Sequence, residues 1–335
     1  MASNKTVDIG KRMRLQEHLM KYFSFSAIVI LIIAFSASQQ NFLGKANLKT
    51  LLSDSAPLII MSIGMTFILI LGSIDLAMGS VCSVANVLTV MVLNDIGPSL
   101  SSPVLAAFLA LVVSIIFGAF AGVIQGIIHV KLKVPSFIAS LGFMSLWQSV
   151  ALLITEAPVS VAKAMWPAIE WVKVTFGVIG LPLILALIGV AILYVIQNYT
   201  TIGRSLYSIG GNERASRIAG ISVDKVKISL FVVSGICAAL GGYFLAAKLR
   251  SSAPRVGDSF TLLIVAAVAL GGTSLSGGRG GVLGTVLGVF TVSVIQNGMN
   301  FIGVDAYWQN IVFGLFVLAA VAISVDRSVR GLVVK

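Results

Sequence analysis

The chain has 335 residues, of which 58 % are hydrophobic and 10 % charged, and its mean hydropathy is +1.04. A soluble domain carries about a quarter charged residues, so this composition excludes an ordinary soluble protein, and no polar stretch is long enough for a separate soluble domain. The net charge of +11 then reads as Lys and Arg gathered in the cytoplasmic segments of a membrane protein, not as a nucleic-acid surface.

Met1–Lys21 is polar and basic and leads into an apolar run with no small-residue cleavage site, so 1–21 is expected to be a cytoplasmic tail and not a cleaved signal. Apolar runs predict membrane spans over 22–38, 55–71, 81–93, 104–126, 135–155, 176–197, 228–247, 260–271, 282–297 and 307–325. The fold class is therefore all-α and polytopic, with about ten spans (eight to ten). One transmembrane domain fills 22–325, interrupted by a cytoplasmic loop at 198–227 and followed by a cytoplasmic tail at 326–335. Lys131, Lys133, Arg204, Arg214, Arg217, Lys225, Lys227 and Arg279 fall on the side of the N-terminus, which predicts both termini inside. Lys248, Arg250 and Arg255 fall on the other side. Cys82 and Cys237 sit in apolar runs and read as small core residues. Trp147, Trp166, Trp171 and Trp308 read as interface anchors or packing groups.

Two of these segments look too short to cross alone. At 1.5 Å per residue, 81–93 and 260–271 reach about 20 and 18 Å, against a bilayer core of about 30 Å. Each adjoins a glycine-rich break, "GSIDLAMGS" at Gly72–Ser80 and "GGTSLSGGRGG" at Gly271–Gly281. Paired glycine-interrupted segments of this kind point to a pathway built from discontinuous helices.

Asp75 lies in the first break. A carboxylate at membrane depth is costly and normally faces a bundle interior or a cavity. Three readings stand: Asp75 caps the following half-helix or joins a structural ion pair, it meets a polar solute, or it lies simply at the interface. Gly72 and Gly79 let the chain turn, and Ser73 and Ser80 can satisfy freed backbone groups. Ser73, Asp75, Ser80, Asn86, Gln148, Thr273, Ser274 and Asn297 are the candidate pathway or gate residues. Uncharged hydrogen-bonding groups suit a neutral, hydroxylated solute, and they equally suit contacts between helices.

In the loop 198–227, Gly210-Gly211 is expected to break the chain, Asn212 to cap a short helix opening on Glu213, and Gly220 to end it. Arg214 and Arg217 share a face, and Ile218 and Ile221 offer apolar contacts on another. So short a helix is not stable alone in water, so it packs on the protein's own membrane face or on a cytosolic partner.

No energy-coupling chemistry is visible. The pattern GxxxxGK[ST] is absent, and Gly44-Lys45 is followed by Ala46. His18 and His129 cannot make a HExxH site, and Asp75 has no acidic companion within a span to relay protons. No catalytic residue, metal site or cofactor is expected on this chain.

Taken together, the motifs resemble those of the ribose-type permease family, the membrane subunits of bacterial ABC importers for monosaccharides and related solutes. "GSIDLAMGS" resembles that family's GGIDLSVGS, and "VPSFIASLGFM" (Val134–Met144) resembles its PSFIATLG-type segment. "YSIGGNERASRIAGI" (Tyr207–Ile221) and "LGGTSLSGGRGGVLGTVLG" (Leu270–Gly288) resemble its YAIGGN loop and its glycine-rich run, in the same order. The likeness runs from about Phe42 to Val325. It departs at Ser73, Ala77 and Met78, where the family usually has Gly, Ser and Val, and the substrate is left open there.

The resemblance implies a multi-pass protein of the bacterial inner membrane, working by alternating access. Gly211, Asn212, Glu213, Arg214, Arg217, Ile218 and Gly220 would form the coupling segment that docks on an ATP-hydrolysing subunit. ATP and Mg would be bound by that subunit. A periplasmic sugar-binding protein would deliver the carbohydrate, and a second permease copy or a homologous permease would complete the pathway. The alternative class is a self-sufficient secondary transporter or channel for a small polar solute.

Overall fold

The computed structural model describes residue 26 and residues 28–324. The expected tails at 1–21 and 326–335, and the start of the first span, lie outside the described residues. Among those described, the chain forms helices α1 (Ile28–Ser38), α2 (Lys45–Ile70), α3 (Met78–Met91), α4 (Pro103–Lys131), α5 (Ser136–Ile154), α6 (Trp166–Ile169) and α7 (Leu181–Tyr199). It continues with α8 (Thr201–Gly211), α9 (Glu213–Ile218), α10 (Val223–Leu249), α11 (Asp258–Leu270), α12 (Val282–Phe301) and α13 (Ala306–Ser324). Among the described residues, β1 (Thr175–Phe176) and β2 (Ile179–Gly180) form a short hairpin, and a single antiparallel bridge joins Ser160 to Ser251. The protein is an all-α membrane bundle, with seven helical stretches among the described residues long and apolar enough to cross a bilayer and α1 and α11 as shorter apolar helices.

Helix ends follow local chemistry. The Ser102 side chain accepts from Leu105 N ahead of Pro103 in the first turn of α4, and Thr200 does the same for Gly203 N at α8. Helix α10 is apolar around most of its circumference, as a central helix should be, and it packs on α2, α3 and α4. Helix α2 lies beside it and also contacts α7, α11 and α12.

The contact between α4 and α10 is made by backbone. A Cβ on Gly118 would sit 2.4 Å from Gly235 O, and one on Gly122 would sit 2.3 Å from Phe231 O. Gly118, Gly122 and Gly126 recur every four residues, so one stripe of α4 has no side chains to hold α10 away. The outer faces are apolar instead: Val104, Phe108, Ile116 and Phe120 of α4 and Ile188 and Ile192 of α7 are exposed, as lipid-facing surfaces require.

Several expected span bounds are overturned: the helix expected over 55–71 begins at Lys45, and the one expected over 228–247 begins at Val223. The segment 81–93 is not too short to span, because the helical stretch runs from Met78 to Ser99, 22 residues, or about 33 Å. It begins three residues earlier than expected, directly after the turn in which Ala77 N donates to Asp75 Oδ1. It also continues through a π-helical turn, Val92–Ile96, and a 3-10 turn, Gly97–Ser99. The polar Asn94 is accommodated there by donating to Ser160 O and accepting from Ala162 N. Helix α11, at 13 residues, remains short.

Candidate functional site

The two glycine-rich breaks end their helices in the same way. After α2, Gly72 N donates to Leu69 O and Ser73 N to Ile68 O, with Gly72 at φ +78°. After α11, Gly272 N donates to Ala269 O and Thr273 N to Val268 O, with Gly272 at φ +86°. Both are Schellman motifs, whose left-handed position glycine fills without a Cβ penalty. Within the first break, Asp75 is 3 % exposed. Its Oδ1 accepts from Ala77 N (3.0 Å) and from Gln125 Nε2 (2.8 Å), and its Oδ2 accepts from Ser234 Oγ (2.8 Å). Ser80 Oγ donates to Ala77 O, tightening the first turn of α3. In this conformation both oxygens of Asp75 are occupied by the protein, one of them at the entry to α3, with donors from α4 and α10.

The second break folds back onto the first. Gly278 N donates to Ile70 O at 2.7 Å, satisfying a carbonyl at the end of α2. A Cβ on Gly277 would lie 2.9 Å from Gly72 Cα. Thr273 is fully buried and its hydroxyl has no hydrogen-bond partner, while Ser274 N donates to Arg279 O and closes the loop on itself.

The segment 198–227 stands at the same end of the bundle. Gly210-Gly211 does not break the chain there, contrary to expectation, because both lie in the last turn of α8. The physical role of Gly210 is close approach: a Cβ would fall within 1.9 Å of Ile70 O. The turn comes at Asn212, which is extended and whose Oδ1 accepts from Ala215 N at 3.0 Å to cap α9. A third Schellman motif ends α9, with Gly220 at φ +85° and Ile221 N donating to Ser216 O. Glu213 is bound by Lys227 (2.8 Å) and Arg217 (3.4 Å), and Arg217 also by Asp224 (2.9 Å). Partial burial raises the Glu213 pKa, but the hydrogen bond and charge of Lys227, and then Arg217, outweigh it and hold the carboxyl below its ordinary value. These ion pairs tie α9 to the start of α10. Arg214 and Ile218, one turn apart, are left exposed, Ile218 at 81 %.

The remaining expected pathway residues are held in other contacts. Asn86 is fully buried, donating to Gly242 O and accepting from Ala253 N. Asn297 forms a reciprocal amide pair with Asn47, at 2.9 and 3.0 Å, joining α12 to α2. Gln148 donates to Pro254 O. These three lie toward the opposite end of the bundle. Two cavities open at that end, one of about 190 Å³ lined by Asn94, Asp95, Thr155 and Ser252, and one of about 370 Å³ between Glu156, Pro158 and Pro254–Val256. Sequence reasoning passed over Gln125 and Ser234 as the partners of Asp75, since neither stands near it in the chain. It also passed over the Gly118-Gly122-Gly126 repeat, whose four-residue spacing was available as a signal.

Comparison with known proteins places these features in a family. The profile of a family described as "Branched-chain amino acid transport system / permease component" matches residues 47–321. The chain is 34 % identical over 320 residues to the ribose import permease protein RbsC of Bacillus subtilis (strain 168), covering 95 % of this chain and 97 % of that one. It is 32 % identical over 321 residues to the ribose import permease protein RbsC of Escherichia coli (strain K12), covering 94 % and 96 %. It is 28 % identical over 305 residues to the D-allose transport system permease protein AlsC of E. coli (strain K12), covering 90 % and 91 %. No solved structure matches the chain.

Proposed function

The chain belongs to this permease family of multi-pass inner-membrane proteins, and from that premise we propose that it is the membrane subunit of an ATP-driven importer for a monosaccharide or related polyhydroxylated solute. The observation that carries the reading is the end-to-end alignment with two ribose import permeases at 34 % and 32 % identity. The family description names branched-chain amino acids, whereas these relatives are named for sugars, and the reading follows the relatives that align individually.

ATP and Mg would sit on a separate subunit that docks on residues 211–220. Supporting this, α9 is tied to the start of α10 by its ion pairs and presents Arg214 and Ile218 outward. An exposed isoleucine on a charged six-residue helix suits an apolar pocket with an acidic rim. The breaks at 72–77 and 271–281 would form the gate at the docking end, with Ser73, Asp75, Thr273 and Ser274 within it. Ser80, Asn86, Gln148 and Asn297 would then hold the helices that line the path. A binding protein would deliver solute at the opposite end. Helix α5 exposes Gly142, Ser145 and Ser149 among apolar neighbours, a face that suits a second permease across the pathway. Alternating access would follow from nucleotide-driven movement of 212–220.

Purification of the tagged chain in mild detergent from its native host, with identification of the retained proteins, tests the reading together with uptake of labelled D-ribose and D-allose. An ATPase subunit held by the wild type, and uptake that stops on ATP depletion while an ion gradient persists, is the expected result. A homo-oligomer without an ATPase, in cells whose uptake follows an ion gradient, would instead make the protein a secondary transporter.

A further inference from the structure

The loop between α11 and α12 has little side-chain packing of its own. Gly272, Gly277, Gly278 and Gly280 all take left-handed backbone conformations, and the hydroxyl of Thr273 is buried without a partner. This arrangement is therefore not fully satisfied from within. What holds it comes largely from α7 and α8. Tyr207 Oη donates to Gly280 O at 2.7 Å, and Gln197 Nε2 donates to Tyr207 Oη at 2.8 Å. The other end of the same amide, Gln197 Oε1, accepts from Val282 N at 2.9 Å, the first residue of α12. Gly210, one turn further along α8, lies against Ile70 O and Gly278 N. Ile70 O in turn accepts from Gly278 N. One side of α8 thus touches the end of α2, the glycine-rich loop and, through Gln197, the start of α12.

We propose that Gln197, Tyr207 and Gly210 are the positioning residues that carry movement of the Asn212–Gly220 segment to both helix breaks. A tilt of α8 would shift residues 277–282 together with the last turn of α2 and the first turn of α12. The glycines let the loop follow without strain, and the hydrogen bonds make it follow α8 and not lag behind. The proposal rests on the reading of 212–220 as the docking segment for an ATPase. It adds which contacts transmit the motion, a claim that contiguity alone does not establish and that needs a coupling measurement.

The measurement uses the complex with its ATPase subunit. Ser276 is exposed, whereas both native cysteines are buried, so Ser276→Cys provides a single accessible thiol in the loop. Its maleimide labelling rate is compared between the nucleotide-free complex and the complex with a non-hydrolysable ATP analogue. In the otherwise native chain the two rates differ. Adding Tyr207→Phe, which keeps the ring and removes the donor to Gly280 O, shrinks that difference by about fivefold or more, the scale of a lost allosteric coupling, while the ATPase still co-purifies. Gly210→Ala has the same effect by forcing α8 away from Ile70. A purely structural role would lower yield or melting temperature but leave the nucleotide-dependent difference intact. The proposal is overturned if that difference persists at full size in both variants with the ATPase retained, or if the parent shows no difference at all. If the ATPase fails to co-purify with the parent, the docking reading itself is wrong, a distinct outcome.

Discussion

At the scale of single residues, Asp75 defines a sharp test. Its carboxylate takes three hydrogen bonds, from Ala77, Gln125 and Ser234, and it sits where α3 begins. Asp75→Ala strands the amide of Gln125 and the hydroxyl of Ser234, and each buried unsatisfied donor costs about 1–3 kcal/mol. The expected loss is about 2–4 kcal/mol, read from thermal or denaturant unfolding in detergent. Asp75→Asn keeps one acceptor oxygen and offers an amide to Ser234 Oγ, which can accept, so the bundle should stay folded and uptake should fall by less than about threefold. Loss of uptake in a well-folded Asp75→Asn protein would mean that the charge itself serves transport. The alternatives for Asp75, cap or solute ligand, were both open in the sequence because the three donors come from parts of the chain far apart from one another.

At the scale of elements, the α4–α10 contact and the α9 cluster behave differently. Gly122 has α10 backbone within 2.3 Å of where a Cβ would be, whereas Gly142 of α5 has nothing within 4 Å. Gly122→Leu should therefore separate α4 from α10 and cost more than about 3 kcal/mol, as other overpacked or unpaired interiors do. Gly142→Leu should leave unfolding in detergent unchanged within about 0.5 kcal/mol. Thermal unfolding of the two variants side by side decides this. For α9, the Glu213 carboxyl is held below its ordinary value, so its contribution is complete above that value and is lost as pH falls through the lowered one. Amide protection factors over 213–218, corrected for the intrinsic pH dependence of exchange, should be equal at pH 7 and pH 5.5 and should fall only below the ordinary carboxylate range of Glu. A fall already at pH 5.5 would show that the ion pairs do not hold the helix.

At the scale of the whole molecule, the end of the bundle that carries Lys131, Arg204, Arg214 and Arg279 also brings together the two helix breaks and the segment 212–220. Glu213 and Arg217 are engaged by Lys227 and Asp224 while remaining about half exposed, so on the proposed docking the contact with an ATPase would rest mainly on Arg214 and Ile218. Ile218→Asp should abolish retention of the ATPase in a pull-down while the permease inserts and melts normally, since the side chain contributes nothing to the core at 81 % exposure. Glu213→Gln, which loosens α9 without changing its outward face, should weaken retention less. Equal retention by Ile218→Asp and wild type would remove this face from the interface.

The sequence by itself determined the membrane class, the ends of most helices, the two breaks and the capped segment at 212–220, because these depend on composition and on residues within a turn of one another. Gly72, Gly272 and Gly220 announce left-handed helix ends locally, and Asn212 announces its own cap. Only the tertiary structure decided that α3 extends through a π turn to Ser99, that Gly210 is a contact point and not a chain break, and that Asn86 and Asn297 fasten helices together. Each of those outcomes depends on a partner far along the chain: Ser160 and Ala162 for Asn94, Ile70 for Gly210, Gly242 and Ala253 for Asn86, Asn47 for Asn297. Local propensity cannot specify such a partner, since burial removes water as the competing hydrogen-bond acceptor only once the helices have packed.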